Sequence, residues 1–164
     1  MWIIHQTVLS IHIFLAIIWV GGILFVGWGI YPAIQSLSIP NQRQFLFVLM
    51  KKTHLWLTLA GSGVVLTGIL LGTVLGPVRT WNTLWSTTYG NIWLTALVVG
   101  LFTLAWGIFV GYKQTMQMLN NDTIWKIAEK GYKTPLERAM FMTALLEGVE
   151  VIGFFTLLTL MMML

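Results

Sequence analysis

The chain contains no cysteine, which excludes disulfides, iron–sulfur clusters and thiolate metal sites. Charge is almost as scarce, at 9% of 164 residues. Soluble domains carry about a quarter charged residues, so the deficit points to lipid as the solvent. The first apolar run has no preceding Lys or Arg, is too long for a signal peptide and lacks a small-residue cleavage site, so it is expected to stay on as a span. No Ser-His-Asp arrangement, phosphate-binding glycine loop or carboxylate-rich metal cage is visible, and no enzyme activity is assigned. The net charge of +4 is concentrated near two loops. It reads as a topology signal and a contact for anionic lipid, not as a nucleic-acid surface.

What is present is hydrocarbon: 57% of the residues are hydrophobic and the mean hydropathy is +0.84. A transmembrane helix takes about 20 apolar residues, so the length accommodates four spans and no soluble domain. The expected architecture is an all-α integral membrane four-helix bundle running up-down-up-down. Residues 1–164 form one transmembrane domain, with spans over about 2–31, 45–75, 92–112 and 136–161. Tyr31-Pro32 stops the first span and Gly76-Pro77 the second. Thr134-Pro135 opens the fourth, with Glu137 in its first turn. The segment QSLSIPNQRQ reads as a loop. The polar stretch from Lys113 to Arg138 is expected to hold a short interfacial helix. Trp81, Trp85 and Tyr89 suit an aromatic belt.

Arg43, Lys51 and Lys52 flank the first connection. Lys113, Lys126, Lys130, Lys133 and Arg138 lie in the third, and the second has Arg79 alone. The positive-inside rule then places connections one and three in the cytoplasm and both termini outside, in a bacterial or archaeal cytoplasmic membrane.

Three histidines and two glutamates within the spans are the groups that could carry chemistry. His5 and His12 stand two helical turns apart, about 10.5 Å along one face, which is too far to chelate one ion. His5 reads as interfacial. His12 lies deeper, bonded to a neighbouring backbone or hydroxyl group, or gripping a cofactor. His54 follows Lys51 and Lys52 by one turn, and residue counting offsets it from His12 by about 14 Å in depth. Glu147 and Glu150 share a face of the fourth span. Glu147 falls at about the level of His54, which suits a proton-transfer or ligand-orienting pair. Gly21 and Gly22, beside Trp19, admit either close helix packing or a flat ring. Met161, Met162 and Met163 end the chain, and thioether with imidazole suits Cu(I).

The stretch IHIFLAIIWVGGILFVGWGIYPAI, with His12, Trp19, Gly21, Gly22 and Pro32, resembles the first helix of the CopD-like membrane proteins, the copper resistance protein D group, and more remotely the HemJ-type protoporphyrinogen oxidases. Thr88-Tyr89-Gly90 is a second point of likeness. The lysine that HemJ-type proteins carry after that opening is absent, since Ala96 and its neighbours are apolar. The resemblance implies a helical bundle with a metal- or haem-related role. The leading expectation is a haem b-binding membrane protein, transferring electrons or serving as an accessory subunit of a respiratory or similar redox complex. His12 would then be an axial ligand, His54 a second ligand or second site, and Trp19, Gly21 and Gly22 would lie against the ring. The alternative is copper transport or delivery through His5, His12 and Met161 to Met163. A third reading is a cofactor-free structural or assembly subunit, in which Glu147 and Glu150 meet a partner helix. Partners are accordingly the bilayer and other membrane subunits or further copies of the chain.

Overall fold

The structure, a computed structural model describing residues 2–164, is all-helical among the described residues. Four helices are long and apolar enough to cross a membrane: α1 (Trp2–Ile34), α2 (Ile39–Gly72), α4 (Thr88–Asn120) and α6 (Thr134–Met161). Two short helices join them: α3 (Trp81–Ser86), and α5 (Asp122–Glu129) between the last two spans. Large apolar side chains on the outside, among them Trp28, Phe109, Phe141 and Ile152, mark the surface that meets hydrocarbon. The chain is an integral membrane protein.

Local sequence explains where the helices start and stop. Ser38 is extended, and Pro40 lies in the first turn of α2, where its missing N–H has no partner to lose. Thr80 caps α3 by accepting from the Thr83 amide, and Thr87 caps α4 by accepting from the Gly90 amide. The chain leaves α5 at Gly131, φ 97°, a left-handed position that glycine takes without steric cost. Span two begins at Ile39, earlier than the apolar run suggests. The polar NQRQ segment is its first turn, with Gln42 buried and donating to the Leu37 carbonyl.

Successive spans pack antiparallel. His12 meets Thr67 and Gly68, Leu15 meets Gly63, and Leu57 meets Gly22. Trp93 Nε1 donates to the Gly68 carbonyl, and His54 stacks on Tyr112. Trp106 Nε1 donates to the Leu146 carbonyl, locking α4 to α6. Trp19 of α1 meets Phe154 of α6 edge-on, ring centroids 5.0 Å apart, which closes the four spans into a bundle. One end carries the Lys and Arg clusters and is called here the basic face; the other carries the ends of α1 and α6.

Two apolar clusters hold the bundle. Ile34, Leu46, Leu119, Trp125 and Leu136 are the heart of one at the basic face. Trp19, Ala60 and Phe154 form the other, nearer the opposite face. Arg43 ties α5 to the first cluster. It donates from Nε to the Leu119 carbonyl, pairs with Asp122 and lies over the Trp125 ring. That guanidinium holds the Asp122 carboxyl below its ordinary range, first through the hydrogen bond and then through its charge.

Two spans contain a π-helical turn, at Phe25–Ile30 in α1 and Gly107–Gly111 in α4. Each widens the helix by one residue per turn, and such turns are often found at functional sites.

Candidate functional site

Between the two apolar clusters lies a cavity of about 80 Å³, walled by all four spans. A water occupies about 30 Å³ in the liquid, so the space suits on the order of two or three waters. Most of its lining is apolar, from Trp19, Ile23 and Leu57 to Leu104 and Ile108. Thr53, Thr58, His54, Tyr112, Glu147 and Glu150 supply its polar groups.

The two carboxyls of α6 are held differently. Glu147 shares a hydrogen bond with Thr115 Oγ1 at 2.9 Å, and the same hydroxyl reaches the Gly111 carbonyl, also at 2.9 Å. One hydroxyl proton cannot serve both acceptors. With Glu147 ionised, Thr115 donates to the carboxylate. With Glu147 neutral, the carboxyl donates to Thr115, and Thr115 donates to the π-turn carbonyl of Gly111. Protonation of Glu147 therefore exchanges one hydrogen-bond arrangement for another across the α4–α6 contact.

Glu150 is buried, with 6% of its surface exposed. It rests on Gly107 and Gly111, whose lack of side chains leaves the space its carboxyl fills. Among the described residues it forms no ion pair and no side-chain hydrogen bond; the one ion pair found is Arg43–Asp122, outside the cavity. His54 is half-buried and lies flat on Tyr112, ring centroids 3.6 Å apart and planes 11° from parallel. It too has no ion pair with a carboxylate among the described residues, and it shares the cavity wall with both acids.

The remaining candidates lie elsewhere. His12 Nδ1 is 2.8 Å from Thr67 Oγ1. Thr67 gives its own proton to the Gly63 carbonyl at 2.6 Å, so it accepts from an Nδ1–H and leaves Nε2 with its lone pair. Thr67 is thirteen residues beyond His54 on one helix, which separates the two histidines by about 20 Å. That exceeds the offset counted from the sequence. A porphyrin clamped between both imidazoles does not fit this spacing. The cavity beside His54 is also well below the roughly 300–1,000 Å³ of ligand pockets.

Trp19 is a core residue and a cavity wall. Gly22 faces Leu57, whereas a side chain at Gly21 would meet nothing within 4 Å. His5 is half-buried near the start of α1, and Met161 is exposed at the end of α6. Among the described residues no group of three or more His, Asp and Glu side chains is placed to hold a metal ion. Comparison with protein families, with curated proteins and with solved structures finds no match to this chain.

Sequence reasoning missed Thr115 and Tyr112. Both are polar groups on the face of α4 that meets α6 and α2, but they fall in a stretch that reads as the exit from the membrane.

Proposed function

We propose that this chain is a membrane protein that binds and passes protons at a site within the bundle formed by Glu147 and Glu150, with His54 as a third titratable group. The observation that carries this reading is Glu150: a buried acid without a cationic partner, on the wall of a water-sized cavity shared with a second acid and an imidazole. A carboxylate inside the membrane is costly unless it is paired or neutral, and intramembrane acids of this kind mark proton and ion pathways. The Thr115 exchange gives the helices a way to respond to the proton that Glu147 holds. By the positive-inside rule the basic face is cytoplasmic.

The test is proton flux into vesicles containing the purified protein under an imposed pH gradient. Glu150→Gln, and Glu147→Gln with Glu150→Gln, are expected to lower flux about a hundredfold, the lower end for a positioned proton-transfer group. Flux equal to that of the unaltered protein would overturn the reading.

A second reading concerns His12. Its Nδ1–H bonded to Thr67 leaves Nε2 available, which is the arrangement second-sphere partners impose on metal-ligating histidines. A haem or copper role at His12, as the CopD-like resemblance implies, rests on that tautomer. An absorption spectrum and metal analysis of protein expressed with haem and copper supplied, with and without His12→Ala, test it. Identical content in both proteins would remove it.

A further inference from the structure

A groove of about 360 Å³ lies at the basic face, where the start of α2 meets the end of α4 and α5. That volume falls within the roughly 300–1,000 Å³ of ligand sites. Arg43, Gln44, Asn120 and Glu129 supply its polar groups, and Phe47 and Val48 its apolar side.

The fold uses these polar groups only in part. Arg43 donates from Nε to the Leu119 carbonyl and from Nη2 to Asp122, which leaves the Nη1 N–H groups for another acceptor. Glu129 is exposed at the end of α5 and has no ion pair among the described residues. The groove thus offers donors to an anion and, on the same wall, a carboxylate to a cation. A ligand that satisfies both carries a phosphate and an ammonium group.

Depth selects the source of that chemistry. α2 has 34 residues and rises about 51 Å, about 20 Å more than the hydrocarbon core. The groove draws on its first turns, from Pro40 to Val48. Val48 is one turn from Lys51 and Lys52, whose ammonium groups seek the headgroup layer. Phe45 and Val48 are exposed on one side of α2 and offer an apolar strip to an acyl chain.

We propose that this groove binds the headgroup of a zwitterionic aminophospholipid of the phosphatidylethanolamine class. Arg43 Nη1, Gln44 and Asn120 hold the phosphate, and Glu129 holds the primary ammonium. Lysines elsewhere on the basic face attract anionic lipid by charge alone, whereas here the acid turns the preference toward an amine. A primary ammonium donates three N–H groups and a quaternary one none, so ethanolamine is held better than choline. Phosphatidylglycerol brings a net negative charge, and no amine, against Glu129. The groove is separate from the cavity of Glu147 and Glu150, and the proposal stands independently of proton binding.

The experiment is native mass spectrometry of the full-length protein, titrated with phosphatidylethanolamine, phosphatidylcholine and phosphatidylglycerol of identical acyl chains. Phosphatidylethanolamine is expected to bind about fivefold more tightly than either of the others, the size of a partly exposed ion pair. Glu129→Gln keeps the side-chain shape at an exposed position and should bring phosphatidylethanolamine down to the level of phosphatidylcholine. Gln44→Glu, also at an exposed position, sets a carboxylate against the phosphate and should weaken all three. Equal binding of the three lipids to the unaltered protein would overturn the proposal, as would an ethanolamine preference that survives Glu129→Gln. Undiminished binding in Gln44→Glu would overturn the placement of the phosphate. Displacement of the lipid by an equal concentration of soluble phosphoethanolamine would overturn the lipid as occupant, in favour of a water-soluble zwitterion.

Discussion

The carboxyl of Glu150 fills the space that a side chain at Gly107 would take. A β-carbon at Gly107 would lie 2.8 Å from Glu150 Oε1 and 2.9 Å from Oε2. The acid and the glycine are therefore one unit across the α4–α6 contact.

Gly107→Ala separates the needs of the site from those of the fold. The obstructing atoms belong to the end of a flexible side chain, which can turn away, and alanine is better than glycine inside a helix by about 0.5–1 kcal/mol. Stability in detergent is expected to stay within about 1 kcal/mol of the unaltered protein, while the Glu150 carboxyl band shifts or disappears. Unfolding midpoints and infrared difference spectra check the two halves independently.

Gly72→Ala should behave in the opposite way. There the added carbon runs into the indole of Trp93, a rigid ring whose Nε1 already donates to the Gly68 carbonyl at 3.1 Å. Overpacking of this kind costs about 1–3 kcal/mol. A lowered unfolding midpoint and a changed Trp emission are expected, with proton flux through folded protein retained.

Thr67→Val removes the oxygen that receives the His12 Nδ1–H and leaves the shape of the side chain nearly unchanged. Polar contacts between membrane helices contribute about 0.6–2 kcal/mol, and a loss of that size in the α1–α2 pairing is expected by chemical unfolding. An unchanged midpoint would show that the imidazole finds another acceptor.

The Arg43–Asp122 pair makes the docking of α5 sensitive to acid. The native Asp122 carboxyl titrates below its ordinary value because Arg43 bonds and attracts its charged form. Its contribution is complete above the ordinary aspartate value of about 3.9 and fades as pH falls through the lower native one. Amide exchange in α5 is expected to quicken below about pH 4 and not between pH 5 and 8. In Asp122→Asn that acid-dependent change should be absent. Asp122 is exposed, so the effect is a local loosening, reduced by salt.

The four spans can be read from the chain because hydrophobic runs of that length have few other uses; Gly76 and Pro77 follow the end of α2, whereas Tyr31-Pro32 does not stop α1, which runs on to Ile34. The first turn of α2 was not legible: Asn41, Gln42, Arg43 and Gln44 look like a loop until Arg43 is seen to reach Leu119 near the end of α4 and Asp122 at the start of α5. The common depth of His54 and Glu147 follows from counting residues along two helices. Their meeting around one cavity depends on how the helices rotate about their axes, which no count supplies. Neither π-helical turn has a distinctive composition, since glycine and large apolar residues fill ordinary membrane helices as well. The partner of His12 is likewise a matter of rotation, as Thr67 is one of several hydroxyls along α2.

The apolar layers above and below the cavity have an electrical consequence. Hydrocarbon and packed side chains support a voltage where water cannot, so part of the potential across the membrane must fall over each layer. A proton passing from the basic face to Glu147 crosses the first of these drops, out of a total of about 2.3 kcal/mol per 100 mV. On the proposed proton-binding function, occupancy of the acids would follow membrane voltage as well as pH.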